Sequence, residues 1–72
     1  MENSISLKNP IVVVYETRIS YRTVYATEIR VLRSGKPYAV YNKDGERFNF
    51  EYLNFESKER VEKIVERNKK HL

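Results

Sequence analysis

Only two glycines occur in the chain, Gly35 and Gly45, and each sits in a short polar break between extended apolar segments. Hairpin loops select for glycine because their backbone visits positive φ, so two such breaks constrain the fold more than any other feature. Read as a two-residue loop, Ser34-Gly35 sets Arg33 opposite Lys36 and pairs Val31 with Tyr38 and Ile29 with Val40. Read as a three-residue loop, Lys43-Asp44-Gly45 sets Asn42 opposite Glu46 and pairs Val40 with Phe48 and Tyr38 with Phe50. The two loops together place Ile29, Val31, Tyr38, Val40, Phe48 and Phe50 on one face of a sheet. A one-residue slip in either would scatter that set. The opposite face then carries Glu28, Arg30, Ala39, Tyr41, Arg47 and Asn49, with Glu28, Tyr41 and Arg47 in one cross-strand row.

Upstream, Ile11, Val13, Tyr15 and Ile19 alternate with polar residues, the period of a half-buried strand. Gly and Pro are absent from Ile11 to Ser34, a length too great for a single strand. A reversal is therefore expected near Ser20 to Thr23, with Val24 to Leu32 as the second strand. Residues 1–9 read as a flexible N-terminal arm, with Ile5 and Leu7 as an alternative extension of the first strand, and 10–72 as one domain. After Leu53 the apolar period becomes helical: Val61, Ile64, Val65 and Leu72 share one side, and Glu59, Glu62, Lys63, Glu66 and Lys70 the other. Ser57 or Asn54 serves as the N-cap. The expected fold is α+β, a four-stranded antiparallel β-meander with one C-terminal helix packed on its aromatic face (ββββα).

At 72 residues without cysteine, neither disulfides nor thiolate metal sites can staple the core, and thiol chemistry is excluded. The longest apolar run, Ile11 to Tyr15, falls far short of the roughly 20 residues a spanning helix needs. With no basic and apolar leader at the N-terminus, a cytoplasmic protein is expected. Homodimerisation would bury further apolar surface, with Val12, Val14, Leu32, Ala39 and Tyr41 as the outer-face residues available for it.

Catalysis finds little to work with. The only histidine is His71, beside the C-terminus, and the only aspartate is Asp44, in a turn. Ser4, Ser6, Ser20, Ser34 and Ser57 fall in the arm, turns and cap with no base in reach. Two glycines cannot build a phosphate cradle of the usual glycine-rich kind. The expectation is therefore no enzyme, no metal and no cofactor. One remote alternative remains, a small metal-independent ribonuclease toxin acting through Glu28, Arg30, Tyr41 and Arg47.

Binding is the better expectation. The net charge of +4 matches the segment from Arg18 to Lys36, where Arg18, Arg22, Arg30, Arg33 and Lys36 face a single anion, Glu28. Six tyrosines accompany these cations, and Tyr25 joins them on the exposed side. Arg and Tyr are enriched at protein interfaces, so the leading expectation is a protein-binding regulator or inhibitor of viral or mobile-element type. Its surface is Arg18, Arg22, Tyr25, Glu28, Arg30, Arg33, Lys36, Tyr41 and Arg47, across the sheet face and hairpin ends. The alternative uses the same residues on single-stranded DNA or RNA, guanidinium groups on phosphates and aromatic faces on bases. The element order resembles that of the small single-stranded-DNA-binding transcription coactivators and the Pur repeats, and that resemblance implies single-strand binding.

Overall fold

The computed structural model describes residues 3–69. Four strands, β1 (Asn3–Glu16), β2 (Tyr21–Val31), β3 (Pro37–Asn42) and β4 (Arg47–Asn49), form one open antiparallel sheet in the order β1-β2-β3-β4. A 3₁₀ turn over Phe50–Tyr52 leads into a single helix, α1 (Phe55–Asn68). This is the expected ββββα architecture. The expectations for Lys70, His71 and Leu72 lie outside the described residues.

The centre of the sheet has the register expected from the sequence. Ile29 pairs with Val40 and Val40 with Phe48. Glu28, Tyr41 and Arg47 form one row, and Arg30, Ala39 and Asn49 the next. The Asn42 loop is as expected. The Gly45 N–H donates to the Asn42 carbonyl, the Asn42 N–H donates to the Glu46 carbonyl, and Gly45 sits at φ +82°. The first loop differs. The Leu32 N–H donates to the Lys36 carbonyl and the Gly35 N–H to the Leu32 carbonyl, with Gly35 at φ +93°. It is a three-residue loop, Arg33-Ser34-Gly35, of the same construction as the second, so Leu32 rather than Arg33 faces Lys36.

That single residue is absorbed by a register shift between Arg30 and Val31, so Val31 pairs with Pro37. Pro37 is buried in the position expected for Tyr38, and Tyr38 is displaced to the outer side. Phe50 likewise does not pair in β4 but turns into the 3₁₀ segment, where it packs against the core.

The expected N-terminal arm is, from Asn3 onward, the first half of β1. Ile5 pairs with Ile29 and is buried, the strand extension that its alternation with Leu7 allows. An irregularity between Ser6 and Ile11 around Pro10 then resets the register before Val13 meets Val24. The first reversal is also earlier than expected, over Thr17–Ser20. It contains no glycine. The Thr17 hydroxyl accepts from the Ser20 N–H at 3.1 Å and lies 2.7 Å from the Ser20 hydroxyl, supplying locally what positive φ supplies elsewhere. Ile19, expected to continue the apolar alternation of the first strand, is instead 96% exposed at this tip.

The core lies between the sheet and α1 and gathers Ile5, Val13, Val24, Ala26, Ile29, Val31, Val40, Phe48, Leu53, Val61 and Val65. Val24 and Ala26 share a face with Ile29 and Val31 only because one extra residue lies between Ala26 and Glu28 in the pairing with β3. This bulge at Thr27 switches the strand's parity. Asn54 caps α1, its side chain accepting from the Ser57 N–H at 2.9 Å. Ser57 is not the cap. Its buried hydroxyl accepts the Val14 N–H at 2.7 Å, the Asn54 N–H donates to the Val14 carbonyl, and Arg60 donates to the Val12 carbonyl. With Tyr15 bridged to Leu53, the upper free edge of β1 is covered from Val12 to Tyr15, and an exposed pairing edge there is avoided.

Candidate functional site

The outer face is the side of the sheet away from α1, and strand alternation decides its contents. Glu28 and Arg30 from β2, Ala39 and Tyr41 from β3, and Arg47 and Asn49 from β4 stand there in two adjacent rows. The Arg30 guanidinium lies over the Tyr41 ring, 4.7 Å from its centroid, and donates to the Glu28 carboxylate. Arg47 lies over the Tyr38 ring at 5.4 Å and donates to the Asn49 side-chain oxygen at 2.9 Å. Tyr38 also hydrogen-bonds Arg30. Two arginine–tyrosine stacks therefore sit side by side, joined through Arg30.

Beneath them Ala39 is fully buried although it is outside the helix-covered cluster. A small residue at the centre lets the arginine stems and tyrosine rings close over it. The hydrogen bond to Glu28 raises the Arg30 pKa above its ordinary value, with burial opposing it and the charge of Glu28 and the bond to Tyr38 adding to it. Arg30 is thus a fixed cation, held in plane by an aromatic face on one side and a carboxylate at its edge. Its pairing with Glu28 uses one face of its donor fork; a guanidinium carries five N–H donors in all.

The nine residues singled out from the sequence do not form one surface. Glu28, Arg30, Tyr41 and Arg47 come together as described. Tyr25 stands on the same face further along β2, 63% exposed and opposite Val12. Arg18 is at the β1–β2 tip, whereas Arg33 opens the β2–β3 loop and Lys36 follows it; at about 3.3 Å per residue the length of β2 separates the two ends by roughly 30 Å. Arg22 is on the other face, 5.1 Å from the Phe48 ring centroid and ion-paired with Glu46 at 3.5 Å, where it seals the open end of the core. The cations from Arg18 to Lys36 are contiguous in sequence and dispersed in space.

Three residues absent from that sequence-based set belong to the neighbourhood. Tyr38 is the chief one, misplaced by the one-residue error in the first loop. Asn49 orients Arg47. Lys58, from the first turns of α1, reaches the β4 side, where it lines a depression together with Lys36, Tyr38 and Arg47. A signal for Tyr38 was present, since Leu32 to Lys36 repeats the spacing of Asn42 to Glu46 with glycine in the same place.

Among the described residues no three of His, Asp and Glu are grouped so as to hold a metal ion. No helix among them is long and apolar enough to cross a membrane. Comparison with protein-family models, with curated proteins and with solved structures finds no match to this chain.

Proposed function

We propose that the protein binds single-stranded nucleic acid, without catalysis, through the outer face built by Arg30, Tyr38, Tyr41 and Arg47. The observation that carries this reading is the paired arginine–tyrosine stacks. Stacking on a ring fixes the guanidinium plane, and the N–H groups that Glu28, Tyr38 and Asn49 do not take are donors for a phosphate, so less side-chain entropy is lost on binding than for a lysine. Aromatic groups beside such cations take unpaired bases, which a duplex does not present. The enzymatic alternative fits the same residues less well, because a shallow open face supplies little exclusion of water.

Labelled single-stranded DNA and RNA, followed by anisotropy at two ionic strengths, test this. Micromolar or tighter binding that weakens steeply with salt and is not competed by duplex is expected. No binding at low salt overturns it.

A second reading has its own observation. Ile19, Tyr21, Tyr25 and Phe55 are 96, 69, 63 and 74% exposed, and the first three lie on the β1–β2 hairpin. Apolar exposure concentrated on a projecting element is the mark of a protein-docking surface, consistent with a regulator or inhibitor. Recovery of a stoichiometric protein by the intact chain, lost in Ile19→Ser, supports it, and equal recovery by both overturns it.

A further inference from the structure

Alongside the short β4 strand runs an open depression of about 480 Å³, lined among others by Lys36, Tyr38, Arg47, Phe50, Glu51 and Lys58. Its position follows from the fold. The β2–β3 loop brings Lys36 to one end and α1 carries Lys58 across from the other layer. β4 stops at Asn49 because Phe50 enters the 3₁₀ turn, so the sheet has no further strand to fill the space. Three cations face one carboxylate, Glu51, and two aromatic rings form walls. Pro37 and Asn49 complete the lining; the Asn49 side-chain oxygen already accepts from Arg47, so its amide N–H groups point elsewhere.

We propose that this depression is a nucleotide subsite of the single-strand path: Lys36, Arg47 and Lys58 hold one phosphate, and its base rests against Tyr38 and Phe50. The assignment rests on the single-strand reading above and adds to it a place, a chemistry and two residues, Lys36 and Lys58, that the outer face alone does not need. A volume of this size is in the usual range for a small-ligand site, but the depression is open along its length. It therefore suits one residue of a passing strand rather than an enclosed free nucleotide. Arg47 is the hinge between the two regions, since it stacks on Tyr38 at the junction of the outer face and the depression.

Lys36→Gln and Lys58→Gln, singly and together, are compared with Lys63→Gln, a control that removes the same charge from the exposed side of α1, where Lys63 sits among Glu56, Glu59 and Arg60. Circular dichroism confirms folding of each. The double variant is expected to bind a single-stranded oligonucleotide more weakly by roughly fivefold for each charge removed. The slope of log affinity against log salt should fall by about 1.4, as for two lost contacts to a single strand, while Lys63→Gln changes neither. If the double variant matches Lys63→Gln, the subsite is overturned and the outer-face reading stands. If the intact protein binds no oligonucleotide, adenosine 5′-monophosphate and adenosine are titrated against ¹⁵N-labelled protein. Shifts at Tyr38, Asn49 and Phe50 with the nucleotide alone uphold the subsite without the strand; no shift, or equal shifts with both, overturns it.

Discussion

Among the described residues Ser57 is the buried polar side chain of the core, and its value lies in what it accepts. Its hydroxyl satisfies the Val14 N–H on an otherwise open strand edge, so Ser57→Ala strands a partly buried donor. A loss of about 1 to 3 kcal/mol in urea unfolding is expected. From the sequence Ser57 reads as a helix cap, because nothing local distinguishes a hydroxyl facing its own helix from one facing a distant strand. The glycines are more transparent. Both lie at positive φ, and no side chain surrounds Gly45, so Gly45→Ala measures the backbone cost alone, about 1 to 2 kcal/mol. Gly35→Ala is expected to cost about the same, since a Cβ there makes only ordinary contact, at 3.4 Å, with the flexible end of the Lys69 side chain. Gly35→Asn should recover part of the loss, as asparagine tolerates the left-handed region.

At the scale of the element, the strands were legible where a glycine marked the loop and obscure where the chain turned or bulged by other means. The pairs Val40–Phe48 and Tyr41–Arg47 follow from the Gly45 loop, whereas Ile29–Val40 and Glu28–Tyr41, expected from a two-residue Gly35 loop, hold only because a compensating shift lies between Arg30 and Val31. That shift decides the candidate site, since it moves Tyr38 from the core to the outer face. The bulge at Thr27 leaves a change of parity, Val24 and Ala26 on even positions and Ile29 and Val31 on odd ones, that was visible in the sequence but not read as a bulge. The Thr17–Ser20 turn was not, because side-chain hydroxyls replace its glycine. Helix α1 was readable by period, and its cap is Asn54. Asn54→Ala removes the acceptor for the Ser57 N–H and should lower stability by about 1 kcal/mol, read from the same unfolding curves.

For the molecule as a whole, the features that attract a partner are divided between two places. The arginine–tyrosine face and the depression beside it occupy the β3–β4 side, whereas the exposed apolar residues Ile19, Tyr21 and Tyr25 occupy the β1–β2 hairpin. Ala39 and Tyr41, expected among the apolar residues a second copy would cover, are already buried or half-buried under Arg30. Arg30→Ala with Arg47→Ala should reduce single-strand affinity on the order of tenfold or more, while costing about 1 to 2 kcal/mol of stability for one partly exposed ion pair, Arg30–Glu28, and two arginine–tyrosine stacks. Ile19→Ser, at a fully exposed tip, should leave stability within about 0.5 kcal/mol of the parent and single-strand binding unchanged. The most direct test is a ¹⁵N chemical-shift map of the intact chain titrated with a short single-stranded oligonucleotide. Shifts concentrated at Glu28, Arg30, Tyr38, Tyr41, Arg47 and Asn49 are predicted; shifts confined to Arg18–Tyr25, or none at low salt, would contradict the account.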